Sequence, residues 1–76
     1  MHYAKMIRER LSQIYPNALI EVHDPDGVHL SLKIEDESFQ DMTKMQQHRA
    51  IYQALGDIFE QGLHALEIQS SGKRGE

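Results

Sequence analysis

The run TKMQQHRAIYQALGDIFEQGLHALEI, Thr43 to Ile68, contains a helix start, an amphipathic helix, a glycine stop and a strand in one segment. Thr43 with Gln46 three places on forms a capping-box pattern, in which hydroxyl and amide satisfy backbone donors that the first helical turn leaves free. The helix is therefore predicted to begin near Lys44. His48, Ile51, Tyr52, Leu55, Ile58 and Phe59 then recur at the spacing of one helical face, and Gln47, Arg49, Gln53, Asp57, Glu60 and Gln61 fall on the other. That pattern predicts one core-facing helix of about five turns. Gly62 stands where a helix closes with a left-handed residue, and Leu63 to Gln69 alternates as a strand does, with His64, Leu66 and Ile68 on one side. His64 is expected as the first side chain of that strand, at the rim of the core that Leu66 and Ile68 enter.

Working upstream, Tyr3, Ile7, Leu11 and Ile14 lie along one helical stripe, and Pro16 ends that helix because the residue before a proline avoids the helical well. Leu19 to His23 alternates, with Ile20 and Val22 facing one way. Asp24-Pro25-Asp26-Gly27 is a turn, since proline presets one backbone angle and glycine accepts a positive one. It leads to a second strand, Val28 to Ile34, whose His29, Ser31 and Lys33 share the face opposite Val28, Leu30, Leu32 and Ile34. The hairpin thus has one wet side, on which His23 and His29 emerge around the turn. Glu35 to Asp41 is an acidic connection with Phe39 as its apolar plug. The order helix, strand, strand, helix, strand predicts an α+β domain over residues 1–69, with a three-stranded sheet covered on one face by helices and a polar, disordered tail over 70–76.

Length and composition narrow the function classes. A chain of 76 residues holds one small core, and it carries no cysteine. No disulfide, thiol nucleophile or thiolate ligand can come from it, so a soft metal bound here needs sulfur from a partner. There is no bilayer-spanning run and no basic-then-apolar leader, so a soluble, cytoplasmic chain with no membrane partner is expected. The net charge of −4 is uneven, about +2 over residues 1–19 and −6 over residues 20–41. That acidic middle argues against a broad nucleic-acid stripe, because duplex binding replaces counterions with basic side chains. Arg8, Arg10, Lys44 and Arg49 remain as a local basic patch.

The five histidines, His2, His23, His29, His48 and His64, are the unusual inventory. No zinc-protease motif, nucleophile elbow or phosphate loop is present, so no enzyme is expected. His48 is most simply a packing or capping residue and His2 a frayed terminus. His23, His29 and His64 can lie near one edge of the sheet if the last strand docks beside the hairpin. Two imidazoles hold a borderline-soft metal only weakly, and the rest of the shell must come from elsewhere.

Ser38-Phe39, then Met45-Gln46-Gln47-His48-Arg49-x-x-Tyr52-x-x-Leu55, then Leu63-His64-Ala65-Leu66-x-Ile68 resembles the signature of the BolA family, including its IbaG-like branch. Asp26-Gly27-Val28-His29-Leu30 is similar to the Gly-Ser-His-Phe entry of that branch. The resemblance implies a class II KH-like fold with a mixed sheet. It also implies a monothiol glutaredoxin as partner and a [2Fe-2S] cluster shared with that partner and glutathione, with none held by the isolated chain, itself a monomer or weak homodimer. The histidine of the His-Ala-Leu motif, His64 here, is then one ligand, and a second comes from the hairpin. The sequence departs from the family pattern at Phe39-Gln40-Asp41, at Gln47-His48-Arg49 and in the loop at Asp24-Pro25-Asp26. The loop departure leaves His23 or His29 as the second ligand, with His29 preferred. The alternative reading is a KH-like transcriptional regulator that binds DNA, for which the only Gly-x-x-Gly, Gly72 to Gly75, falls in the tail rather than between helices.

Overall fold

Thr43 caps its helix as the spacing to Gln46 requires. Its hydroxyl accepts from the Gln46 N–H at 3.1 Å and the Gln46 side chain accepts from the Thr43 N–H at 2.9 Å, closing the box. The structure is a computed structural model and describes residues 3–26, 29–63 and 66–72. In chain order it contains α1 (Tyr3–Ile14), β1 (Leu19–His23), β2 (Leu30–Glu35), a 3-10 turn (Glu37–Phe39), α2 (Lys44–Ala54), α3 (Gly56–Glu60) and β3 (Leu66–Ser71).

The sheet is mixed. Its order is β1-β2-β3, with β1 antiparallel to β2 and β2 parallel to β3. A parallel pair needs a crossover, and the 3-10 turn with α2 and α3 supplies it. Ile7 and Leu11 from α1, Leu30, Leu32 and Ile34 from β2, and Ile51, Leu55 and Ile58 from the crossover are all buried in one core. Phe39 fills the space under the connection, fully buried, with the Tyr15 ring 5.2 Å away at a tilt of 59°. The opposite sheet face carries Glu21, His23, Lys33, Glu67 and Gln69, all exposed. The expected α+β architecture with helices on one face is therefore the observed one.

Several details differ from the sequence reading, three of which bear on how the crossover meets the last strand. The single five-turn helix is two helices, because Leu55 turns out of helical geometry (φ −106°, ψ 10°). Gly56 has weak helix propensity, and the guanidinium of Arg10 takes the Ala54 carbonyl at 2.8 Å while holding Asp57 through two bonds of 2.6 and 2.8 Å. Second, Gln47 points inward, only 5% exposed, and Tyr52 is 45% exposed with its ring stacked on Phe59 at 5.1 Å. The buried face of α2 is thus rotated toward Gln47. Its amide donates to the carbonyls of Phe39 (3.1 Å) and Met42 (3.0 Å) and accepts from the Ser70 hydroxyl (2.6 Å), so a polar side chain sits in the core with its bonds made.

Third, Ser70 and Ser71 belong to β3 rather than to a tail. Ser70 is buried, its carbonyl accepts from the Lys44 ammonium, and the Ser71 carbonyl accepts from the Asp36 N–H. Gly72 follows so closely on Gln40 that an added Cβ would lie 2.6 Å from the Gln40 Cα, which explains glycine there. Gly62, at φ +128°, is the left-handed stop that the sequence indicated. Residues 73–76 of the expected tail lie outside the described residues.

Candidate functional site

The strand register builds one end of the open sheet face. His23 pairs with Ser31, and Ser31 with Glu67, so the three form a row across β1, β2 and β3 on the side away from the helices. His29 stands two residues before Ser31, and the turn brings Pro25 beside it. Together His23, Pro25, His29, Leu30, Ser31 and Glu67 line a groove of about 330 Å³. Next along the same face Glu21 pairs with Lys33 and Lys33 with Gln69.

Within the groove the two histidines have different surroundings. His29 Nδ1 lies 2.7 Å from Asp26 Oδ2, and Asp26 Oδ1 accepts from the His29 backbone N–H at 2.8 Å. That hydrogen bond, then the charge of Asp26, raises the His29 pKa above its ordinary value of 6.5. A proton and a metal would therefore compete for Nε2. The ring is otherwise open, with its side chain 75% exposed. His23 is also exposed, and its ring has no side-chain hydrogen bond among the described residues.

The structure thus brings His23 and His29 to one groove. The third expected ligand, His64, lies outside the described residues. Among the described residues no group of three His, Cys, Asp or Glu side chains converges to hold a metal. Two exposed imidazoles with no thiolate fit part of the shell of a metal group presented by another molecule. They do not make a complete site, which for a tetrahedral metal needs four ligands.

Of the four basic residues singled out in the sequence, two have partners within the fold. The Arg10 guanidinium is engaged by Asp57 and the Ala54 carbonyl, and its pKa is raised by the Asp57 hydrogen bond. Asp57 in turn is pulled down to about 2, first by the hydrogen bond from Arg10. Lys44 bonds the Ser70 carbonyl, whereas Arg8 and Arg49 are exposed on α1 and α2. His48 is half-buried on α2. Asp26 is the residue that sequence reasoning missed as part of the site. Its signal was available in Asp26-x-x-His29, a spacing at which a carboxylate can reach both the N–H and the ring three residues on.

A small α+β domain with helices on one face of a mixed three-stranded sheet, and histidines at the hairpin end of the other face, defines the class. A family model described as BolA-like protein matches residues 7–74, and the chain belongs to the BolA family. The BolA domain of SufE1 from Arabidopsis thaliana superposes with a TM-score of 0.83 at 33% identity, covering 93% of this chain and 92% of that one. BolA1 from the same plant gives a TM-score of 0.74 at 32% identity, covering 90% and 88%. The UV-induced protein uvi31 of Schizosaccharomyces pombe is 41% identical over 71% of this chain, which spans 53% of the length of that protein. Among the described residues, no helix is long and apolar enough to cross a membrane.

Proposed function

We propose that this chain is a cytoplasmic, non-enzymatic adaptor that docks on a monothiol glutaredoxin and shares a [2Fe-2S] cluster with it and with glutathione. The observation that carries the reading is the groove at the hairpin end of the sheet. It gathers two exposed imidazoles, His23 and His29, in a chain whose 76 residues include no cysteine. Such a surface can add nitrogen ligands and must borrow sulfur. Membership of the BolA family supports the same reading, as do the Leu63-His64-Ala65-Leu66 residues that the family resemblance makes ligand-bearing.

In this reading His64 and one hairpin histidine supply the nitrogen ligands, the hairpin histidine from a groove that Pro25 and Ser31 also line. The cluster, when bound, supplies one-electron chemistry, and mixed imidazole and thiolate ligation sets its potential above that of an all-thiolate shell. A nucleic-acid role has less support, because Arg10 and Lys44 are engaged within the fold.

The test is to mix the chain with a monothiol glutaredoxin, glutathione, iron and sulfide and record visible absorption. The expected outcome is a spectrum that differs from that of the glutaredoxin alone and is altered by His64→Ala. A spectrum indifferent to the chain removes the reading, and one indifferent to His64→Ala removes the ligand assignment.

A further inference from the structure

The contact between Asp26 and His29 distinguishes the two ring nitrogens. Asp26 meets His29 twice, with Oδ1 on the backbone N–H at 2.8 Å and Oδ2 on Nδ1 at 2.7 Å. An ionised carboxylate only accepts hydrogen bonds, so the proton of the second contact sits on Nδ1. A neutral imidazole carries one N–H, and with that proton on Nδ1 the lone pair is on Nε2. The backbone bond adds a second constraint. It ties the carboxylate to the main chain of the residue whose ring it holds, so ring and acceptor keep one relative geometry at an otherwise exposed turn. His23 lines the same groove, and among the described residues no carboxylate holds its ring in this way.

We infer that Asp26 is a positioning residue that fixes His29 as the Nδ1–H tautomer, leaving Nε2 as the metal-donor atom of the hairpin in preference to the ring of His23. The inference rests on the adaptor reading for the metal group that Nε2 would meet. The tautomer itself can be measured without any metal. The chemistry is that of ligating histidines generally, whose second nitrogen commonly donates to a carboxylate that sets orientation and basicity.

The sharpest variant is Asp26→Asn, which keeps shape and changes hydrogen-bond polarity. Its amide oxygen can still accept from the His29 N–H, but its NH2 group would then face Nδ1 as a donor. The ring is expected to switch to the Nε2–H tautomer, which blocks the donor atom, as an Asp-to-Asn change does beside a catalytic histidine. Asp26 is 49% exposed at a turn, so the fold is expected to survive, and an unchanged amide spectrum checks this.

The experiment has two arms. In the first, long-range proton–nitrogen correlation spectra of the free chain, recorded above the titration range of the ring, read the tautomer of His29. The expected result is Nδ1–H in the parent chain and Nε2–H in Asp26→Asn. The same tautomer in both overturns the inference and leaves the adaptor reading untouched. In the second arm, the chain labelled with nitrogen-15 at histidine is combined with cluster-loaded glutaredoxin, reduced, and examined by pulsed electron paramagnetic resonance. Asp26→Asn should abolish the nitrogen coupling from His29 and weaken complex formation by about 10- to 100-fold, while His23→Gln should leave the His29 coupling in place. A His29 coupling that persists in Asp26→Asn overturns the positioning role, and a coupling lost in His23→Gln overturns the choice of His29. No histidine coupling in the parent complex overturns the adaptor reading itself and the ligand role with it, whatever the first arm shows.

Discussion

Replacing Gln47 with methionine keeps the length of the side chain and deletes its hydrogen bonds, so it isolates what holds α2 over β3. Three bonds are lost, two donated to the Phe39 and Met42 carbonyls and one accepted from Ser70. Gln47 and Ser70 are both 5% exposed, so water replaces those partners poorly. At roughly 1 kcal/mol for each buried bond, Gln47→Met should cost about 3 kcal/mol. A chain of 76 residues has a total stability on the order of 4 to 11 kcal/mol, so the loss is a large share of it. For a domain of this size that corresponds to a fall in Tm of roughly 12 to 24 °C. Urea unfolding followed by far-ultraviolet dichroism is the assay, and the midpoint should fall with little change in slope. Ser70→Ala removes one bond and leaves the Gln47 oxygen unsatisfied, at about 1 to 2 kcal/mol, and the double variant should cost less than the sum because the two residues share a bond. A Gln47→Met protein within about 0.5 kcal/mol of the parent would refute the argument that this amide ties the crossover to the last strand.

The remaining predictions concern single contacts. Thr43→Ala removes the cap of α2 and should cost about 1 kcal/mol in the same urea assay. Gly62→Ala forces a side chain to φ +128° against the Tyr3 hydroxyl and should cost roughly 1 to 3 kcal/mol. Asp57 has a folded pKa of about 2 against an ordinary 3.8, so its pairing with Arg10 contributes stability above the ordinary value. That contribution should disappear as pH falls from about 4 to 2, and Arg10→Met should flatten the pH dependence of the urea midpoint across that window.

How far the sequence reading reached depended on whether each signal was local. The capping box is complete within Thr43 to Gln46 and β1 declares itself by alternation over Leu19 to His23, so both match the structure, while the alternations over Val28 to Ile34 and Leu63 to Gln69 locate strands that run Leu30–Glu35 and Leu66–Ser71. The break at Leu55 is only half legible: Gly56 stands in the sequence, but Arg10, on α1, takes the Ala54 carbonyl from 44 residues away. Gln47 misled for a related reason. A glutamine counts as polar in any periodicity, yet here its buried position is made tolerable by partners at Phe39, Met42 and Ser70 that no window around it contains. The expected start of the tail at Ser70 failed in the same way, since a serine gives no strand signal and its partners, Ile34 across the ladder, Gln47 and Lys44, all lie far from it in the chain. At the site, His23 and His29 were placed on one wet face by strand parity and share a groove in the structure. Asp26 was read only as part of a turn, because its second role appears once its carboxylate is seen against the ring.

The central claim is that this chain lends imidazole ligands to a cluster held by a foreign thiolate. Histidine NMR spectra recorded while the labelled chain is titrated with cluster-loaded monothiol glutaredoxin test it most directly. The account predicts paramagnetic broadening centred on His64 and the hairpin histidines and strongest at the ligating rings, with His2 and His48 unaffected. Histidine signals that all stay sharp at saturating glutaredoxin, or broadening centred on His48, would contradict it.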